Sequence, residues 1–336
     1  MGYGMGYGMT NVLIYGAGAI GSFIGHLLRQ PLQSNGPKIE NVALLGRASH
    51  MQKIIEAGLQ IDFPDSSHFP DSSQVLQFKY CFGNLDDLKE SDFYPDLVIV
   101  CVKTYSLPRV CTELKESGLL QERLKNACFL LLMNGMGSKE IFENLTGLSP
   151  SRVLEGVTSV GVRFTGDGLI ELKGLGKTVI DDRICVKGEQ SLKEFLEFRF
   201  RESGLEIEFA PDFKKHQWDK LFVNSVINPI TAITGQENGI VLSNQLSGTV
   251  QNIIREGVSV AQREGLETDV ESILEAVYSV AEKTSHNTSS MLQDVQKKKM
   301  TEIDSINGYI IQLARKYDIE VPVNEALYGL VKSIAG

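Results

Sequence analysis

Apolar positions along the chain fall into two textures. Asn11 to Tyr15 is a short apolar run that ends in glycines, and an apolar stretch from Ile20 to Leu28 follows it, the order of a strand, a tight turn and a helix. Val42–Leu45, Leu97–Val102 and Cys128–Met133 are further strand-like runs, and Leu97–Val102 (LVIVCV) is apolar on both faces, as suits a central parallel strand. Helical spacing lies between them, around Met51–Ala57 and Pro108–Leu124. Alternating strands and helices predict a doubly wound parallel sheet. Gln30–Glu40 and Asp62–Gln77 read as loop insertions, the second carrying the local duplication FPDSSHFPDSSQ. From Asp212 the spacing is helical throughout, over Asp212–Ile227, Leu246–Glu264, Val270–Ser285 and Glu302–Tyr317 and again after Pro322. The pattern therefore predicts an α/β fold: a sheet domain over residues 10–210, an all-helical C-terminal domain over residues 211–336, a boundary near Ala210–Pro211 and a flexible tail at residues 1–9.

The glycines after the first strand sharpen this picture. Gly16-Ala17-Gly18-Ala19-Ile20-Gly21 is G-x-G-x-x-G, placed after a strand and opening a helix. In that context the first glycine permits the tight turn, the second lets the backbone approach a pyrophosphate, and the third allows close helix–strand packing. The helix N-terminus then offers N–H groups to the phosphates. The sheet domain is accordingly expected to be Rossmann-type and to bind a dinucleotide through Gly16 to Gly21. An NAD site usually carries an acid at the end of the second strand, but here that strand runs into Gly46-Arg47-Ala48-Ser49-His50. The planar fork of Arg47 suits a 2′-phosphate, so the expected cofactor is NADP(H). Lys103 directly follows LVIVCV, and Asn134 directly follows CFLLLM. Ligands of open parallel sheets bind beyond the carboxyl ends of the strands, which predicts that the glycine loop, Arg47, Lys103 and Asn134 converge on one edge.

In the helical half, Lys220, Asn224 and Asn228 are spaced four apart, one stripe with about 6 Å between steps. The rest of that helix is apolar, and asparagine is a poor helix former, so the stripe needs a polar cleft to face. Pro229 is expected to kink or end the helix. Asn238-Gly239 is a turn signal with a further amide. Asn287-Thr288-Ser289-Ser290 opens another motif, and Thr301-Glu302-Ile303-Asp304 follows it. On one straight helix Ser290 and Glu302 would stand about 18 Å apart. Thr301-x-x-Asp304 looks like a capping signal, so a new helix is expected at Thr301, with Lys297–Lys299 a solvated turn that lets the two motifs approach.

Composition narrows the function. The 336 residues carry a net charge of −9, which argues against a nucleic-acid surface but leaves room for a local basic pocket. The longest apolar runs are about six residues, far short of the roughly 20 needed to span a bilayer, and the N-terminus has no signal-peptide pattern. The five cysteines form no CxxC and no metal-ligand spacing, which fits a reducing compartment. A cytoplasmic enzyme without a metal, acting on a small molecule, is the expectation, and the helical domain could offer a homodimer face.

The stretches GAGAIG, NGMG, WDKLFVNSVINPITAI, NTSSMLQDV and TEIDSINGYI closely resemble the ketopantoate reductase (2-dehydropantoate 2-reductase) family, nearly end to end. The resemblance implies NADPH-dependent reduction of 2-dehydropantoate to (R)-pantoate, a step toward pantothenate and coenzyme A. It implies that Lys220 is the proton donor and that Asn224, Asn228 and Asn238 contact substrate, with Asn287, Thr288, Ser289 and Ser290 holding its carboxylate and hydroxyl. It also implies that Glu302 lies against the nicotinamide ribose and Lys220. Lys103 and Asn134 would bind cofactor, Asn134 would also touch substrate, and the backbone near Val162 would touch cofactor. Two other readings stand beside this one: a reductase of another branched 2-oxo acid, and a catalytically silent NADP(H)-binding sensor.

Overall fold

Successive residues of the central strands point to opposite faces, and each face has its own apolar core. Val12 and Ile14, Leu97 and Ile99, and Leu130 and Leu132 are buried in one core; Leu13 and Tyr15, Val98 and Val100, and Phe129 and Leu131 are buried in the other. Period-two burial on both faces is what a parallel sheet covered by helices requires, and each such side chain contributes roughly 1.5–3 kcal/mol by leaving water.

A computed structural model describes residues 11–30, 39–63, 73–182 and 189–335. It contains strands β1 (Asn11–Tyr15), β2 (Asn41–Leu45), β3 (Leu59–Asp62), β4 (Ser73–Leu76), β5 (Tyr80–Phe82), β6 (Leu97–Val100), β7 (Cys128–Leu132), β8 (Val153–Thr158), β9 (Gly161–Gly166), β10 (Leu169–Gly174), β11 (Thr178–Asp181) and β12 (Ile207–Ala210). Its α-helices are α1 (Ala19–Arg29), α2 (Ala48–Ala57), α3 (Leu85–Glu90), α4 (Leu107–Glu116), α5 (Ser138–Thr146), α6 (Glu189–Glu202), α7 (Phe213–Thr234), α8 (Ser247–Arg263), α9 (Val270–Lys283), α10 (Ser290–Gln296), α11 (Asn307–Lys316) and α12 (Pro322–Ile334). Two compact units result. The first takes the described residues up to Val102 with Ser106–Met133 and Ser138–Phe213; the second takes Lys103–Tyr105, Asn134–Gly137 and the described residues from Lys214 on.

The first unit is the expected Rossmann-type architecture. Its main sheet has eight strands in the order β12-β11-β8-β7-β6-β1-β2-β5, parallel throughout except where β11 meets β8. A second sheet, β4-β3-β10-β9, packs into the same core as α1, through Ile61, Ile170 and Leu172. It corrects one expectation: Ser73–Leu76 is a strand paired with β3, Leu59 opposite Leu76, and so is not a loop insertion. Residues 64–72, with most of FPDSSHFPDSSQ, lie outside the described residues, as do the tail at 1–9 and residues 31–38 of the insertion expected at Gln30–Glu40. Helix α4 is also shorter than its spacing suggests. Gly118 has φ +77°, a conformation that ends a helix cheaply only at glycine.

The second unit is all helical among its described residues, apart from short 3₁₀ turns. Two boundaries differ from expectation. Helix α7 runs on past Pro229 to Thr234. Proline has no N–H for the carbonyl four residues back, here Ser225, and the buried Asn307 Nδ2 donates to that carbonyl instead, at 3.0 Å. The last motif does not begin a helix at Thr301: Ile303–Ser305 is a 3₁₀ turn and α11 starts at Asn307. Between α10 and that turn, Lys297–Lys299 is exposed, and Lys298 takes a left-handed φ of 51°.

Candidate active site

In the first unit the chain leaves β1 at Gly16 with φ +94°. A Cβ there would stand 2.7 Å from Val102 Cγ1, so only glycine makes this turn beside β6. Gly16 and Ala17 spend their N–H groups on the Leu45 carbonyl, at 2.9 and 3.0 Å. Gly18 is the N-cap of α1, with no side chain to cap the helix, so the N–H groups of its first turn, at Ala19, Ile20 and Gly21, lack intrahelical acceptors. A Cβ on Gly18 would meet nothing within 4 Å. An uncapped helix start facing open space fits a dinucleotide pyrophosphate. Arg47, two residues past the end of β2, is the N-cap of α2. Its guanidinium lies 4.7 Å from the centre of the Phe164 ring and its Nη2 is 3.7 Å from Asp167 Oδ1. The sequence around Arg47 contains no acid; the fold brings one from the β9–β10 turn. Val162 lies in β9 opposite Leu172, against the first core.

In the second unit four predicted residues meet. Lys220 Nζ donates to Asn134 Oδ1 at 2.8 Å, and Asn134 Nδ2 donates to Glu302 Oε2 at 3.1 Å. Lys103 Nζ donates to Glu302 Oε2 at 3.3 Å and to Asp294 Oδ2 at 2.8 Å. The Glu302 carboxylate is 5% exposed. Thr104 completes its shell, donating through the backbone N–H to Oε1 at 3.2 Å. The peptide after Asn134 is seated by Met136 N–H donating to Ser305 O at 3.1 Å; at Gly135, φ +77°, any Cβ would overlap Ser305.

The cluster balances two ammoniums against two carboxylates. Burial lowers the Lys220 pKa from 10.5 to about 8, opposed by the Glu302 charge. Burial also works against the Lys103 ammonium, but Glu302 and Asp294 outweigh it and hold its pKa above the ordinary lysine value. For Glu302, burial would raise the pKa; Lys103, Asn134 and the Thr104 N–H reverse the sign and keep the carboxyl ionised. Lys220 is thus the group in the cluster whose proton leaves near neutral pH.

Other predicted residues are placed around α7. Asn224 is half-buried and Asn228 buried, one and two turns beyond Lys220. Asn238 donates to Thr284 Oγ1 at 3.0 Å, and its buried Oδ1 has no hydrogen-bond donor among the described residues. Asn287 and Ser290 are exposed and Thr288 half-buried. Ser289 Oγ is committed to structure: it caps α10, accepting from Leu292 N–H at 3.1 Å, and lies 2.6 Å from Thr231 Oγ1. Sequence reasoning missed Thr104, Asp294 and Asp167. Thr104 directly follows Lys103 and Asp294 lies within NTSSMLQDV, so both adjoin residues the sequence points to; nothing near Arg47 in sequence points to Asp167.

A Rossmann-type sheet with an open glycine cradle, joined in one chain to a helical unit that carries a half-buried lysine of lowered pKa, is the arrangement of an α/β dehydrogenase. Residues 12–183 match the family described as ketopantoate reductase PanE/ApbA, and residues 212–335 match its C-terminal part. The chain belongs to the ketopantoate reductase family, whose members are oxidoreductases acting on a CH–OH group. It is 32% identical over 323 residues to a 2-dehydropantoate 2-reductase of Pyrococcus horikoshii, covering 96% of each chain. Among solved structures it resembles a ternary structure of D-mandelate dehydrogenase with NADH and anilino(oxo)acetate, at TM-score 0.82 and 26% identity, covering 97% of this chain and 98% of that one. A PanE/ApbA family ketopantoate reductase from Ralstonia eutropha JMP134 is similar at TM-score 0.79 and 25% identity, with the same coverage. Among the described residues, no helix is long and apolar enough to cross a membrane.

Proposed function

We propose that the protein reduces 2-dehydropantoate to (R)-pantoate with NADPH, a cytoplasmic step toward pantothenate and coenzyme A, with Lys220 as the proton donor. The observation that carries this reading is the chain of contacts Lys220–Asn134–Glu302–Lys103. The residues proposed to hold the cofactor are Gly16 to Gly21 at the phosphates, Arg47 at the 2′-phosphate, and Lys103, Asn134, Glu302 and the backbone near Val162. Bound, the reduced nicotinamide supplies a hydride to the ketone carbon. The chain supplies the rest. As negative charge builds on the ketone oxygen, the Lys220 ammonium stabilises it and gives up a proton from Nζ. A pKa near 8 leaves the lysine charged at neutral pH yet a stronger acid than an ordinary one. Asn134 holds the ammonium with its Oδ1 while its Nδ2 is fixed by Glu302, so the amide has one orientation. Glu302 keeps Lys220 charged from a distance, and Asp294 shares Lys103 with it.

The proposed substrate contacts are the amides of Asn134, Asn224, Asn228 and Asn238, the Lys220 ammonium, and the segment Asn287, Thr288, Ser289 and Ser290, of which Ser290 and Thr288 have the more available hydroxyls. Oxidation of NADPH with 2-dehydropantoate, against a panel of other 2-oxo acids, tests the assignment. A large kcat/KM for 2-dehydropantoate alone supports it; turnover of a different 2-oxo acid reassigns the substrate, and turnover of none leaves a dinucleotide-binding protein without this activity. The proposed assembly is a homodimer, which sedimentation velocity reads directly.

A further inference from the structure

The turn that brings Asp167 to Arg47 is built as part of the glycine-loop scaffold. Gly168 N–H donates to His50 Nδ1 at 2.8 Å, and Gly168 O accepts from Gln60 N–H at 2.9 Å. Because His50 Nδ1 is an acceptor, the ring proton sits on Nε2, which faces Ser22 Oγ at 3.0 Å. Burial lowers the His50 pKa to about 4, so the ring stays neutral. Ser22 belongs to α1, whose N-terminus forms the phosphate cradle, and His50 belongs to α2, which Arg47 caps. One buried imidazole thus ties three parts together: the helix of the cradle, the helix of Arg47 and the turn of Asp167. Phe164, in the strand leading to that turn, lies under the Arg47 guanidinium and edges against the His50 ring, with centroids 4.9 Å apart.

Such scaffolding holds the Asp167 carboxylate 3.7 Å from Arg47, the residue that follows β2 where a classical NAD site has its acid, although Asp167 lies some 120 residues later in the chain. The side chains of Arg47 and Asp167 are 61% and 38% exposed, open to a ligand. We infer that Asp167 is a second determinant of cofactor choice, an inference that rests on the placement of Arg47 at the 2′-phosphate. Its carboxylate competes with that phosphate for Arg47 and accepts from the 2′-hydroxyl of an unphosphorylated ribose. The protein therefore binds NADH as well as NADPH, and Asp167 holds down its preference for NADPH.

Calorimetric Kd values for NADPH and NADH on the full chain, compared with those of Asp167→Asn, Asp167→Glu and Arg47→Ala, test this. Asp167→Asn removes one anion beside the phosphate and one acceptor beside the hydroxyl. NADPH should bind about 3- to 10-fold tighter and NADH about 3- to 10-fold weaker, as expected for single charges a few ångströms apart in a wet site. Asp167→Glu keeps the charge and should leave the ratio of the two Kd values within about twofold. Selective loss of NADPH binding in Arg47→Ala with an unchanged ratio in Asp167→Asn overturns the role of Asp167 and leaves Arg47 in place. Equal losses of both dinucleotides in Arg47→Ala remove Arg47 from the 2′-phosphate, and the inference falls with it.

Discussion

Two arginine- or lysine-carboxylate pairings sit in this chain in opposite surroundings. Arg47 and Asp167 are 61% and 38% exposed and 3.7 Å apart, beyond hydrogen-bond reach. Lys103, Asp294 and Glu302 are 37%, 13% and 5% exposed, with contacts of 2.8 and 3.3 Å. Exposed pairs are worth about 0–1 kcal/mol and yield to salt and to ligands. A buried carboxylate that loses its partners is left with a large desolvation cost. Under the proposed function the same chemistry serves two ends: the exposed pair would bias which ligand binds, whereas the buried Glu302 carboxylate holds Lys103 charged and raises the pKa of Lys220, the proposed acid.

The contrast can be broken by substitution, beginning with the largest effect. Lys220→Ala should lower kcat roughly 10²- to 10⁴-fold, the usual range for a positioned acid, while calorimetry shows NADPH binding intact. A near-normal kcat would move the proton donor elsewhere. Combining it with Glu302→Gln should give much less than the product of the two losses, because both act on one step. Ser290→Ala should raise KM for the 2-oxo acid by about 5- to 150-fold, the cost of one lost partner in a desolvated site, with NADPH affinity unchanged; a larger defect in NADPH titration would assign Ser290 to the cofactor. The smallest effect belongs to the exposed pair. Raising ionic strength from about 0.01 to 0.1 M, which shortens the screening length from about 30 to 10 Å, should reduce the Kd ratio between NADH and NADPH by a few-fold while the pH profile of kcat/KM stays in place.

What the sequence revealed follows the same division. Local patterns made the central strands, the glycine turn and the C-terminal helices legible, because burial at period two or 3.6 is written in adjacent residues. The small sheet escaped notice: β9, Gly161–Gly166 (GVRFTG), is half-buried at best and glycine-bounded, with no apolar run to mark it. Pro229 looked like a helix end because its remedy, the amide of Asn307, lies 78 residues on. Lys220, Asn134 and Glu302 were named through motifs, yet the hydrogen bonds that join them depend on a 3₁₀ turn where a helix start was expected. Asp167 was invisible because its relation to Arg47 exists only in the folded β9–β10 turn.

The central claim is that a lysine kept acidic by burial, and kept charged by Glu302, gives the proton. The pH dependence of kcat/KM in the wild type and in Glu302→Gln tests it most directly. With the Lys220 pKa at about 8, the wild-type rate should be level at neutral pH and fall about tenfold per pH unit well above 8 as the ammonium is lost. Glu302 raises the lysine pKa, so its neutral replacement should move that fall to lower pH. A wild-type profile level to pH 10, or a fall that moves to higher pH in Glu302→Gln, would contradict the account.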